Sequence, residues 1–162
     1  MFPIIAVPDD AADLQEQLGT KPKFWFGDKP SLFKEIREGT GEDWSEKVAS
    51  ELAALLGIPH AEYDLAFWKG RRGVVSDSFR PSGGRLIHGN ELLAKIVPQY
   101  PATKFFRVRQ HSLRVVTTLV QISKPPIGFV LLPDVRTAVD VFIGYLMLDA
   151  WIGNQDRHHE NW

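Results

Sequence analysis

A long apolar segment that runs directly into a dense polar cluster is the feature that most limits how this chain can fold. Residues Thr137–Ile152 are largely apolar, and they are followed by Gly153–Trp162, where most side chains can form hydrogen bonds or carry charge. The apolar segment falls short of the roughly 18 clean residues of a membrane span, and Asp140 and Asp149 interrupt it. We therefore predict a helix buried in a globular core that delivers a polar loop at its C-terminal end.

The composition is that of an ordinary globular protein. Hydrophobic residues make up 44% of the 162 residues and charged residues 24%, which is enough to build a core. The net charge of −1 gives no general reason to expect nucleic-acid binding. Cysteine is absent, which excludes disulfides and thiolate metal sites. The absence of cysteine fits a reducing cytoplasm, so we predict a cytoplasmic protein. The first ten residues contain no basic leader, so we expect no signal peptide.

The first half of the chain predicts a β-sheet. Phe24–Phe26 and Ser31–Arg37 read as two strands joined by the turn residues Gly27–Pro30. Tyr63–Trp68 and Gly73–Phe79 form a second predicted hairpin. Two shorter strands are predicted at Pro3–Val7 and Arg85–His88.

One helix is predicted between the two hairpins. Asp43 is a candidate N-cap, with Glu46 three residues later in the capping-box position. Apolar residues that recur at helical spacing predict the buried face of this helix: Val48, Leu52, Leu55 and Leu56.

The second half of the chain changes to helical patterns. Glu91–Ile96, Ser112–Gln121 and Arg136–Ile152 are predicted helices, separated by loops that contain proline. A sheet with one helix followed by helices predicts a two-lobed α+β enzyme with a cleft between the lobes. We place the β-rich lobe at residues 1–90 and the helical lobe at residues 91–162.

Two segments of the first half can bind phosphate. The loop Gly19–Lys23 can cradle it with backbone amides and two lysines, although a plain surface turn explains the same residues. Strand alternation places Lys34 on an apolar face, where its charge needs a partner. Glu46 is the first candidate partner and Glu51 the second, and the alternative is a lysine that reaches solvent along its strand.

The polar cluster at the end of the chain carries the most specific spacing. Asp156 and Asn161 lie five residues apart, the interval that a kinase catalytic loop has between its catalytic base and a metal-binding Asn. One alternative is a metal site on His158, His159 and Glu160 with His88 or His111, but adjacent histidines point apart. Another is a structural loop in which Asp and Asn only cap the backbone.

These motifs resemble those of HipA-like kinases, bacterial serine/threonine kinases known from toxin–antitoxin systems. Gly153–Trp162 resembles their catalytic loop, and its Asp-Arg-His-x-x-Asn core also looks like that of phosphatidylinositol kinases. Four upstream segments are similar, in order, to the family's phosphate loop, lysine strand, glutamate helix and interlobe hinge: Gly19–Phe24, Phe33–Glu35, Ser45–Ile58 and Arg85–Asn90.

The resemblance implies a two-lobed kinase-like fold that uses ATP and Mg²⁺ to phosphorylate a protein Ser or Thr. Asp156 would be the catalytic base, Asn161 a magnesium ligand, and Lys34 with Glu46 the phosphate anchor. His158 would belong to the catalytic loop as a brace. The resemblance also implies phosphate contacts by Gly19, Thr20, Lys21 and Lys23. Leu86, Ile87 and His88 would contact adenine.

The sequence departs from the family in one respect. Members of the family continue past this tryptophan into a hairpin with a second metal-binding Asp, which this chain does not contain. We therefore expect the N-terminal portion of such a kinase, with a truncated helical lobe, inactive in this form. The expected partners are ATP, a protein substrate, and either an antitoxin-like inhibitor or a complementary C-terminal segment. The alternatives are a noncatalytic nucleotide- or protein-binding remnant and a kinase for lipid or small-molecule hydroxyls.

Overall fold

A computed structural model describes residues 2–11, 22–104 and 107–162, together with the backbone of residues 14–15. The chain divides into two compact units. The N-terminal unit contains Met1–Leu56 and His60–Phe79, and the C-terminal unit contains Gly57–Pro59 and Arg80–Trp162. A lobe boundary after residue 90 stays a prediction. No helix within the described ranges has the length and apolar content needed to cross a membrane.

The N-terminal unit is built on a six-stranded sheet in the order β1-β5-β6-β4-β3-β2. Neighbouring strands are antiparallel, except for β1 and β5, which are parallel. The strands are β1 Ile4–Ala6, β2 Leu14–Gln15, β3 Lys23–Phe26, β4 Ser31–Glu35, β5 Tyr63–Trp68 and β6 Arg71–Asp77.

Both predicted hairpins are present, and their turns have the expected chemistry. The β3–β4 turn contains Gly27 at φ 77°, and the β5–β6 turn consists of Lys69 and Gly70 at φ 48° and 75°. Two successive residues with positive φ form the tight turn whose twist matches that of paired strands. The Lys69–Gly70 turn thereby fixes the register of the β5–β6 hairpin.

One face of the sheet carries an apolar core. It consists of Val7, Phe24, Phe33, Ala66 and Val75, and the half-buried Phe26 and Trp68 pack against it. The aromatic rings are in direct contact; the centroids of Phe24 and Trp68 are 4.8 Å apart. Because strand residues alternate between faces, the neighbours of Phe33 and Val75, namely Lys34 and Val74, belong to the opposite face.

The helix α1, Glu42–Leu55, differs from the prediction in its N-cap residue and in the face that it buries. Its N-cap is Gly41 at φ 67°, so the prediction of Asp43 as the N-cap is wrong. Asp43 lies inside the first turn, is buried, and accepts a hydrogen bond from Arg72 Nε at 2.9 Å. The buried positions of the helix are Asp43, Lys47, Ser50 and Ala53.

This burial exposes part of the apolar stripe that helical spacing predicted. Val48 and Leu55 are 44% and 79% exposed. The physical reason is that the inner face of α1 is held by polar contacts. Lys47 Nζ lies 3.0 Å from Asp64 Oδ1, and the Ser50 hydroxyl accepts from the Tyr63 N–H at 3.0 Å.

The C-terminal unit contains the three predicted helices. They are α2 Gly89–Ile96, α3 Leu113–Gln121 and α4 Ala138–Ile152. Ser112 and Thr137 cap α3 and α4 with their side chains, and Asp140 completes a capping box with Thr137. Trp162 packs against the two apolar clusters that these helices form. The first cluster is Leu93, Tyr100 and Leu119, and the second is Val116, Val120, Ala138 and Phe142.

The helix α4 is only partly buried, so the expectation of a largely buried helix is wrong in that respect. Val141, Phe142 and Leu148 are buried, whereas a stripe of Ile143, Met147 and Trp151 is about half exposed. This stripe is an exposed apolar area on one side of α4.

Candidate functional site

Lys34 and Glu46 form an ion pair in the N-terminal unit. Lys34 is in the middle of β4 and Glu46 is in the second turn of α1, and Lys34 Nζ donates to Glu46 Oε1. The side chains are 26% and 29% exposed, so water still reaches the pair. Burial opposes the charge on Lys34, but Glu46, Tyr63 and Glu42 together hold its pKa above the ordinary value of 10.5. The lysine is therefore a fixed positive charge at neutral pH.

The prediction of Glu51 as an alternative partner of Lys34 is wrong. Glu51 Oε1 lies 2.6 Å from the Nζ of Lys47, one helical turn earlier. Lys47 in turn reaches Asp64 on β5, so these charges form a separate cluster.

The register of the β3–β4 hairpin places a second lysine beside the first. Lys23 of β3 pairs directly with Lys34 of β4. Residues directly opposite in an antiparallel pair project from the same face of the sheet, about 4.5–5.5 Å apart at Cβ. Like charges in such a pair repel, and the Glu46 carboxylate beside Lys34 offsets part of that repulsion. The sequence contained both lysines, but only counting the strand register back from the Gly27–Pro30 turn would have brought them together.

The remaining members of the predicted phosphate loop lie outside the described residues. They are Gly19, Thr20 and Lys21. Lys23 is thus the described member of this group, and it is half-buried at the start of β3.

The polar cluster of the C-terminal unit forms a loop that begins where α4 ends. Gly153 at φ 68° caps the helix, and the Asn154 N–H donates to the Asp149 carbonyl at 2.8 Å. Asn161 Nδ2 donates to the Asp156 carbonyl at 2.7 Å and lies 3.3 Å from Asp156 Oδ2. The five-residue interval therefore brings these two side chains together. The Asp156 side chain is 76% exposed, which leaves its carboxylate open to a ligand.

His158 lies beside this pair of residues. Its Nε2 is 3.7 Å from Asp156 Oδ1, and its Nδ1 accepts from the Glu160 N–H at 3.3 Å. These contacts agree with a bracing residue, and a catalytic role of His158 stays a prediction.

The histidines nearby are engaged in hydrogen bonds rather than converging on an ion. The buried His159 is joined through Nδ1 to the Tyr100 hydroxyl at 2.8 Å, and His111 Nε2 accepts from the Trp162 indole N–H at 3.1 Å. Within the described ranges, no group of three His, Cys, Asp or Glu side chains could hold a metal ion. The alternative of a histidine metal site therefore has no support in the described part of the chain.

Residues 85–88 pair with no strand of the described sheet, so the strand predicted at Arg85–His88 is wrong. His88 instead acts as the N-cap residue of α2, because its N–H donates to Glu91 Oε1 at 3.2 Å. His88 Nδ1 contacts the Glu160 carbonyl at 2.8 Å, and the Gly89 N–H donates to the Trp162 carbonyl at 3.0 Å. The predicted adenine-contacting segment thus adjoins the polar loop. Leu86 and Ile87 are exposed.

The partial burial of His111 predicts a pH dependence of stability. Burial first, and then electrostatic repulsion from His159 and His158, holds the pKa of His111 below its ordinary value of 6.5. In the unfolded chain His111 takes up its proton first as the pH falls, so its contribution is complete above about pH 6.5 and is lost below it. We expect the melting temperature to fall between pH 7.5 and pH 5.5, and less steeply in His111→Asn, whose amide oxygen can still accept. Equal pH slopes in thermal unfolding would contradict this assignment.

Sequence reasoning missed the residues that hold the loop in place. Asp149, interpreted only as an interruption of the apolar segment, is buried and contacts both Asn154 and Arg157. Tyr100 was not identified either, although it bonds the buried His159. The available signal for Asp149 was a charged residue in the last turn of a largely apolar helix, three residues before its final residue, Ile152.

Comparisons with known proteins support the fold alone. No protein-family model matches the chain, and no curated protein matches it in sequence. Among solved structures, it is similar to a proinflammatory kinase of Helicobacter pylori, CtkA, with a TM-score of 0.66 and 18% sequence identity. The match covers 99% of this chain and 53% of the kinase, so the chain spans about half the length of that protein. The chain thus has a mixed α+β fold that resembles that of a kinase.

Proposed function

We propose that the protein transfers the γ-phosphate of ATP to a hydroxyl group, with a protein Ser or Thr as the acceptor. The observation that carries the proposal is the contact between Asp156 and Asn161. An exposed carboxylate is held next to an amide five residues later, on a loop fixed to the end of a helix. In phosphoryl transfer, a carboxylate in this position accepts the proton of the attacking hydroxyl. The likeness of the fold to a solved kinase supports the proposal.

The two lysines of the hairpin supply the second requirement, which is positive charge for the phosphates. Lys23 and Lys34 project from one face of the sheet, and Glu46 fixes the position of the Lys34 ammonium. Phosphoryl transfer depends on positioning and electrostatic stabilisation more than on covalent chemistry by the protein. A lysine held by a carboxylate meets that need better than a mobile surface lysine does.

The loop can supply one protein ligand to a magnesium ion whose other ligands are nucleotide phosphates and water. The Asn161 amide nitrogen is directed at Asp156, which leaves the amide oxygen as the atom that can face a cation. Mg²⁺ prefers oxygen donors and usually combines one or two protein ligands with phosphates and water. Bound there, magnesium would neutralise charge on the transferred phosphate. Asn161 would hold the ion, with Asp156 beside it.

A second candidate function is nucleotide binding without transfer. The small number of oxygen donors favours it, because the loop brings together one carboxylate and one amide, and no metal-binding group of three is found in the described residues. Such a module would keep the lysine pair and would do little chemistry.

The proposal of the HipA-like type rests on the resemblance of the motifs. If the protein is of this type, we expect it to be cytoplasmic and to contact adenine through Leu86–His88. We also expect it to bind an antitoxin-like inhibitor or a complementary C-terminal partner. A lipid or small-molecule hydroxyl is the alternative acceptor.

The experiment is transfer of ³²P from [γ-³²P]ATP by the protein as its source organism makes it, with and without Mg²⁺. We expect label on protein, with phosphoserine or phosphothreonine after acid hydrolysis. Label that extracts into organic solvent or migrates as a small molecule would identify the alternative acceptors. Nucleotide binding without any transfer would favour the second candidate.

A further inference from the structure

A buried carboxylate stands at an electrostatically unfavourable place in α4. Asp149 lies three residues before Ile152, the last residue of the helix, and is buried. The helix dipole places partial negative charge at that end, and burial removes the water that would stabilise the anion. A carboxylate in such a place needs cationic or donor partners, and the partners it has indicate what it does.

Among the described residues, the side-chain partners of Asp149 belong to the polar loop. Arg157 binds its carboxylate in a fork, with Nε on Oδ2 and Nη2 on Oδ1, both at 2.7 Å. Asn154 Nδ2 donates to Oδ1 at 2.8 Å. A bidentate guanidinium–carboxylate pair fixes orientation as well as distance.

Each partner of Asp149 holds one of the two candidate functional residues. Asn154 Oδ1 accepts from the Asp156 N–H at 3.0 Å. Arg157 Nη1 donates to the Asn161 carbonyl at 3.0 Å. One carboxylate is therefore connected to both Asp156 and Asn161, each through a single intervening side chain.

The Arg157 guanidinium also contacts the ring of Tyr145. The centre of the Arg157 guanidinium lies 5.6 Å from the centroid of the Tyr145 ring, and the Tyr145 hydroxyl donates to the Pro59 carbonyl at 2.7 Å. Burial opposes ionisation of Asp149, but its bonds to Arg157 and Asn154 hold its pKa below the ordinary value of 3.8. The carboxylate is therefore charged at neutral pH.

We propose that Asp149 is a positioning residue that sets the loop so that Asp156 and Asn161 face each other. The inference rests on the proposed function, since it assigns Asp149 a part in phosphoryl transfer without contact to substrate. It acts through Asn154 on the backbone of Asp156, and through Arg157 on the backbone of Asn161.

The test replaces Asp149 with Asn, which has nearly the same shape. An amide offers one acceptor oxygen, and its NH₂ group then faces donors of Arg157 or Asn154. We expect kcat for label transfer to fall about 10²-fold, as a displacement of about 1 Å can cause. The KM for ATP should change little, because the lysine pair is intact. In ¹⁵N-labelled protein, the side-chain amide resonances of Asn161 should move away from their wild-type positions.

The matched control is Asp140→Asn, the same substitution at the other end of the same helix. Asp140 Oδ2 accepts from the N–H groups of Arg136 and Thr137, at the end of the helix opposite to the loop. This variant should lower the melting temperature while leaving kcat and the Asn161 resonances as in the wild type. If Asp149→Asn does not fold, Arg157→Lys serves instead, because lysine keeps the positive charge but cannot make the bidentate contact with Asp149. It should lower kcat and shift the Asn161 resonances in the same direction, but by less.

The outcomes separate the inference from the proposed function. Wild-type kcat and wild-type Asn161 resonances in both Asp149→Asn and Arg157→Lys would overturn the positioning role. A protein that transfers no label, or whose transfer is unaffected by Asp156→Asn, would overturn the proposed function. In that case shifted Asn161 resonances would still support the action of Asp149 on the loop.

Discussion

The substitution Asp156→Asn should lower the rate of label transfer by about 10²–10⁴-fold, the contribution typical of a general base. The amide cannot accept a proton at neutral pH, and the rest of the loop should stay as it is. The backbone of this residue is held by bonds to Asn154 and Asn161, and its side chain adds one longer contact, 3.3 Å from Oδ2 to Asn161 Nδ2. Its side chain is mostly exposed, so the melting temperature should change by no more than a few degrees.

The matched control for this substitution is Gln155→Ala in the same loop. Gln155 is exposed and precedes Asp156 directly. We expect Gln155→Ala to transfer label at the wild-type rate. Both Gln155→Ala and Asp156→Asn should bind ATP with wild-type affinity. Transfer at the wild-type rate by Asp156→Asn would remove the assignment of the base.

Lys34→Ala should weaken ATP binding by about 10- to 100-fold. A hydrogen bond between charged groups contributes roughly 1.5–3 kcal/mol, and about 1.4 kcal/mol corresponds to a factor of ten in affinity. The cost in stability should be about 1 kcal/mol or less, because Glu46 is partly exposed and can be hydrated when its partner is removed. Isothermal titration calorimetry and thermal unfolding of the same samples measure the two effects.

The matched control for Lys34 is Lys29→Ala. Lys29 is also ion-paired, with Asp77 at the end of β6, but it lies in the exposed turn between β3 and β4. Its removal should leave ATP affinity unchanged. An equal loss of affinity in both variants would indicate a general effect of charge rather than a phosphate contact at Lys34.

Turn chemistry and helical periodicity were sufficient to predict most elements. Gly27 and Gly70 mark tight turns that few other residues can form, so both hairpins follow from the sequence. The helices α3 and α4 begin directly after the capping residues Ser112 and Thr137. The ion pair of Lys34 and Glu46 was expected from a lysine on an apolar strand face.

The errors occurred where polar side chains replaced apolar ones in buried positions. Helical spacing oriented α1 by its leucines, but Lys47 and Ser50 are buried instead because β5 and the residues before it offer them partners. Tertiary hydrogen bonds of this kind leave no periodic signal in the sequence. Asp149 was underestimated for the same reason, since its partners follow it in a loop whose conformation the sequence does not specify.

Both candidate functions require that the protein bind a nucleotide by its phosphates. The direct measurement is calorimetric titration of AMP, ADP and ATP into the wild type and Lys34→Ala. We expect the wild-type affinity to rise with each added phosphate and most of that rise to be lost in Lys34→Ala. Absence of binding, equal affinity for the three nucleotides, or a rise that Lys34→Ala leaves intact would contradict a phosphate site at the lysine pair.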